Sequence, residues 1–140
     1  MSDLIKVANL TKSFFLKNNL IILKKINVEI KKGELIALLG PSGSGKSTFL
    51  HILALLDKPT NGEIYFEGKK TSHMNNFEKD EIRGKKISMI YQQNNLLNDF
   101  TALENVMIPL IINGDSWSNA KSKLKKILFS MNLLNRINHF

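Results

Sequence analysis

The chain has 140 residues, 43% of them hydrophobic, with 20 Lys and Arg against 12 Asp and Glu and no cysteine. That length supports one domain with a real core; the lack of cysteine excludes disulfides and thiolate metal sites and fits a reducing compartment. The formal charge of +8 suits nucleic acid or an anionic membrane surface, but the lysines are scattered without interleaved aromatics, which argues against nucleic acid and for solvated faces.

Residues 1–6 lack the apolar core of a signal peptide, and no apolar run is long enough to span a bilayer. A cytosolic protein is expected. Residues 5–10 and 26–30 read as strands, the second by alternation of Ile26, Val28 and Ile30 with Asn27 and Glu29. Lys32-Gly33-Glu34 is a turn leading into residues 35–39, a continuous apolar run expected to be a parallel strand buried on both faces.

Gly40-Pro41-Ser42-Gly43-Ser44-Gly45-Lys46-Ser47-Thr48 follows, and it fits G-x-x-x-x-G-K-[ST], the phosphate-cradling P-loop. Phe49, Ile52, Leu53 and Leu56 then recur at helical spacing, with Leu50, Ala54 and Leu55 on the other faces, so a largely buried helix is expected. A triphosphate needs inward backbone N–H groups with no Cβ in the way, which Gly43 and Gly45 permit. The helix that begins near Lys46 adds its own N–H groups and positive potential. Lys46 is placed to meet the β- and γ-phosphates, and the Ser47 hydroxyl suits Mg²⁺. With strand, loop and helix in sequence, nucleoside triphosphate binding is the expected function.

Beyond the loop, residues 57–62 carry turn signals that stop the helix, and residues 64–66 form a short strand. A polar stretch follows, with a short helix over about 77–83 that Asn75 and Glu78 could cap. Residues 87–91 read as the next strand, running into a polar turn at Gln92. Thr101 and Glu104 form a capping box for a helix to about Ile112, which Pro109 should kink or end early. Ala120, Leu124, Ile127, Met131 and Leu134 share one face of a final helix. Trp117 should anchor that helix by packing. His51 reads as a packing or hydrogen-bonded histidine, and His73 and His139 have no metal-ligand partners at useful spacing.

The P-loop alone does not choose among NTPases. Thr11-Lys12-Ser13-Phe14, residues 40–48, residues 56–62 and Ile90-Tyr91-Gln92 together resemble the ATP-binding subunits of ABC transporters, over a match from about Ile5 to the last residue. Tyr91-Gln92, Asn95-Leu96-Leu97 and residues 100–106 look most like the lipoprotein-releasing ATPases of the LolD type, with export and cell-division subunits as near relatives. Asn94 and Asn95 depart from that type, whose members often carry histidines there.

The resemblance implies an α/β P-loop NTPase fold with a small antiparallel β part and an incomplete helical subdomain. Residues 1–91 would be the nucleotide-binding core and β part, and residues 92–140 the Gln loop and the first of the helical subdomain. It further implies that Phe14 stacks on adenine, that residues 40–48 hold ATP, and that Gln92 reaches Mg²⁺ and the attacking water. Phe14 and Phe15 could instead simply cover the sheet, and Gln92 could be a surface turn residue. Permease subunits and a second copy of the ATPase are the implied partners, at the cytoplasmic face of the inner membrane. Transport coupled to ATP hydrolysis, for lipoprotein release, is the implied activity.

The family's signature loop, its strand ending in Asp-Glu and its switch histidine are not found in these 140 residues. Residues 110–115 are the nearest imitation of that strand and are rejected, since they lack the adjacent acidic pair. By itself the chain is therefore expected to bind ATP weakly and not to hydrolyse it, with open apolar edges prone to aggregation. A silent nucleotide-binding module is the other class considered, and a nucleic-acid-linked ATPase a third.

Overall fold

The computed structural model describes residues 3–15, 19–93 and 95–139. Asn94, Phe140 and the Phe15 side chain, all invoked above, lie outside the described residues. The chain forms two compact units, Met1–Ser88 and Met89–Phe140.

The first unit is built on a sheet of order β2-β1-β3-β4, with every neighbour antiparallel: β1 Asp3–Phe15, β2 Asn19–Lys31, β3 Asn61–Phe66 and β4 Lys69–Lys70. The two long strands exceed their expected lengths because register shifts interrupt the alternation that a sequence pattern relies on. One such shift sits at Asn9, whose φ is 50°. The extra residue lets Val7 and Leu10, three apart, both reach the core. The Asn27 carboxamide oxygen accepts from the Asn9 N–H at 2.8 Å and holds the bulge from the β2 side.

On the β3 side the bulge presses on Gly62, with φ of 90°; a Cβ there would lie 2.4 Å from the Asn9 carbonyl oxygen. Glycine is required at that position by both conformation and space.

Helix α1, Lys46–Leu53, packs Phe49 and Ile52 onto this sheet beside Val7, Leu10, Leu23 and Ile64. The helix is one-sided rather than largely buried: Leu50 is exposed, because the sheet covers a single face. Helix α2, Asn76–Lys85, begins with the reciprocal capping box of Asn75 and Glu78 and buries no residue.

Residues 35–39 and 87–91 are not strands, contrary to the sequence reading. Leu35, Leu39 and Ile90 are almost fully exposed. An apolar run becomes a parallel strand only when neighbouring strands take up its N–H and C=O groups, and no strand among the described residues pairs with either run.

The second unit pairs α3, Ala102–Ile112, with α4, Trp117–Ser130. Thr101 and Glu104 form the expected capping box. Pro109 does not end α3 early: the helix reaches Ile112, and the Asn113 N–H still bonds the Pro109 carbonyl at 3.2 Å. In a last turn, proline removes one bond without a following helix to displace. Ala120, Leu124 and Leu128 pack on Leu103 and Met107, but Ile127 and Met131 are 51% and 61% exposed. One helix partner covers only a narrow stripe, so the expected face is wider than the buried one. Trp117 is likewise exposed rather than packed away, at a shallow apolar depression with Phe100, Ile108 and Ile112.

Candidate nucleotide-binding site

Between residues 35–39 and α1 the chain turns through residues 40–45 and enters the helix at Lys46. Gly45 caps the helix in the left-handed region at φ 88°. A Cβ there would lie 2.7 Å from Ile22 Cγ2 and 2.8 Å from Leu23 Cδ2, so this residue seats the loop directly on β2. The first helical bond runs from the Phe49 N–H to the Gly45 carbonyl at 2.9 Å. The N–H groups of Lys46, Ser47 and Thr48 therefore point out of the helix end with the positive end of its dipole.

Lys46 curls back over the loop. Its Nζ donates to the carbonyls of Gly40 and Pro41, both at 2.7 Å, and to Ser44 Oγ at 3.5 Å. The Ser44 N–H bonds the Pro41 carbonyl at 3.3 Å, which closes the turn through Ser42 and Gly43. An ammonium thus stands among the loop residues, beside a helix N-terminus and a glycine that admits no side chain. Ser47 is exposed at that helix end, and Thr48 is partly covered. This donor set, all N–H and O–H with no carboxylate, fits a polyphosphate and a hard cation held with it.

Phe14 lies near the end of β1, opposite Leu20 of β2 and a few residues from the Ile22–Leu23 stretch that carries the loop. It is 40% exposed, so it is not a residue that disappears under the sheet. Its ring stands 5.1 Å from the Lys12 ammonium. That lysine is buried, donating to Asp57 Oδ1 and the Lys58 carbonyl at 2.8 Å, and it fixes the turn after α1 to β1. Burial acts against the Asp57 charge, but the Lys12 and Lys58 hydrogen bonds and nearby Lys12 and His51 outweigh it and hold the carboxyl below its usual range. The Lys12–Asp57 tie escaped the sequence reading, since no local pattern links residues 45 apart.

Gln92 belongs to the second unit, exposed in a bend that follows Tyr91. Residues 110–115, the rejected imitation, are the end of α3 and its exit, with Asp115 paired to Lys123 at 2.8 Å. The adjacent acids Asp80 and Glu81 sit on α2 and pair with Arg83 and Lys85, so they offer no strand-end carboxylates. Among the described residues, no group of three His, Cys, Asp or Glu side chains could hold a metal, and no helix is long and apolar enough to cross a membrane.

The sequence matches the ABC transporter family model over residues 23–139. The chain belongs to the ABC transporter family. Among relatives of this ABC chain, a lipoprotein-releasing system ATP-binding protein LolD from Wigglesworthia glossinidia brevipalpis is 43% identical over 97% of the chain. An uncharacterized ABC transporter ATP-binding protein of Methanocaldococcus jannaschii is 45% identical over 86% of it. The chain covers 60% and 54% of those two proteins. In structure it is similar to the ATP-binding cassette MJ0796 of the same archaeon, solved as a dimer in a post-hydrolysis state with ADP and Pi. The TM-score is 0.86 at 39% identity, over 96% of this chain and 60% of that one.

Proposed function

We propose that this chain is the ATP-binding part of an ABC transporter ATPase that couples ATP binding and hydrolysis to transport, specifically to release of lipoproteins from the inner membrane. The observation that carries nucleotide binding is the Lys46 ammonium held at 2.7 Å from Gly40 and Pro41 within a loop that opens a helix. In this reading residues 40–48 bind the phosphates, Lys46 meets the β- and γ-oxygens, and Phe14 offers its exposed ring to adenine. Ser47 and Gln92 would hold Mg²⁺, which supplies charge neutralisation on the phosphates. Gln92 also orients the attacking water. The LolD-type relatives support lipoprotein release; another export or cell-division ATPase of the family is the alternative. The working unit is a homodimer of ATPase subunits on permease subunits, peripheral to the cytoplasmic face of the inner membrane.

Residues 1–140 alone carry Lys46, Ser47 and Gln92 without an acidic strand end, so they hold nucleotide without turnover. The test is titration of the chain with a fluorescent ATP analogue. Lys46→Ala removes charge-assisted hydrogen bonds of about 1.5–3 kcal/mol, so binding should weaken roughly tenfold or more. Equal affinity in the variant would overturn the site.

A further inference from the structure

The exposed side of α4 carries charge and apolar surface that nucleotide binding does not use. At about 100° per residue, Lys121, Lys125, Phe129 and Lys126 follow one another around the side turned away from buried Leu124. Ser118 and Ser122 are the other residues in that arc, so it contains no carboxylate. Lys123, outside the arc, is paired with Asp115, whereas Lys121, Lys125 and Lys126 have no carboxylate in range among the described residues. Phe129 is 69% exposed in the middle of the lysines. It shares a shallow apolar depression with Lys125, Lys126, Leu134 and Ile137. Solvation explains the lysines alone, but it does not explain an exposed ring set between them.

We propose that this face of α4 docks on an anionic lipid surface, the lysines on headgroup phosphates and Phe129 in the interfacial layer. An exposed aromatic set among lysines binds interfaces by buried apolar area together with charge attraction. Charge complementarity selects the occupant: every ionisable group of the arc is a cation. The shape agrees, because the face is the convex side of a helix and its depression at Phe129 is shallow and open. The proposal needs no nucleotide at the P-loop and stands apart from the ATPase reading.

The full chain is sedimented with phosphatidylcholine vesicles and with vesicles that also contain phosphatidylglycerol. Binding should occur only to the second kind and weaken as salt rises. Changing Lys121, Lys125 and Lys126 together to Gln should reduce it about a hundredfold, at roughly fivefold per lysine. The same three changed to Arg should retain it, and Phe129→Ser should weaken it at constant charge. All four residues are exposed, and an unchanged circular dichroism spectrum confirms that each variant folds. Equal binding to both vesicles, or full binding by the Gln variant, overturns the proposal. So does capture by a purified permease subunit that depends on the lysines while vesicle binding does not.

Discussion

The two units are held together in different ways. In the first, strands distant in sequence pair along register, and their cohesion depends on bulges, the tightly fitted Gly62 and a buried Lys12–Asp57 tie. In the second, two neighbouring helices press a short stripe of side chains together, and each helix start is fixed by its own cap. A change in backbone fit should therefore damage the first unit most, and a change in side-chain volume the second.

The largest expected effect is from Gly62→Ala. Its Cβ would collide with the backbone of Asn9 in a left-handed conformation, which costs of order 4 kcal/mol as strain and overpacking together. Hydrogen exchange should show the amides of β1 and β3 losing protection while those of α3 and α4 keep theirs. Loss of protection in both units alike would refute their separate cohesion.

Next comes Met107→Ala, at the centre of the α3–α4 contact and almost fully buried. The lost contacts and the cavity should cost about 3 kcal/mol, read as exchange confined to residues 102–130. Unaltered exchange there would mean that the helices are held by something other than this stripe.

The smallest effect belongs to the α3 cap. Thr101→Ala should cost about 1 kcal/mol. The Glu104 carboxyl is held below its usual range by hydrogen bonds from the Thr101 hydroxyl and the Thr101 N–H. A depressed carboxylate stabilises the fold above its unfolded pKa, and that contribution disappears as pH falls through the lowered folded pKa. Thermal unfolding of the second unit between neutral pH and the acidic carboxylate range should therefore lose stability on acidification. In Glu104→Gln this part of the loss should be smaller; an identical pH profile would show that the cap does not titrate with folding.

What could be read early differs between units for the same physical reason. Both capping boxes and the P-loop are local: a few adjacent residues make their own hydrogen bonds, so Asn75, Thr101, Gly45 and Lys46 stand where their spacing put them. The α4 stripe was legible in Ala120 and Leu124 and misread at Ile127 and Met131, since periodicity shows which residues share a face but not how wide its partner is. Asn9 and Gly62 gave no warning of the bulge, because the close approach exists only once β1 and β3 are paired.

The sequence by itself determined the glycine-rich loop that leads into α1, the helix starts and the family, all set by contacts within a few residues or by whole motifs. Only the tertiary structure decided which apolar runs became strands. Residues 64–66 are paired in β3, with Ile64 and Phe66 buried, and residues 35–39 are unpaired although both runs are apolar, since a strand is completed by its neighbours' hydrogen bonds and not by its own side chains.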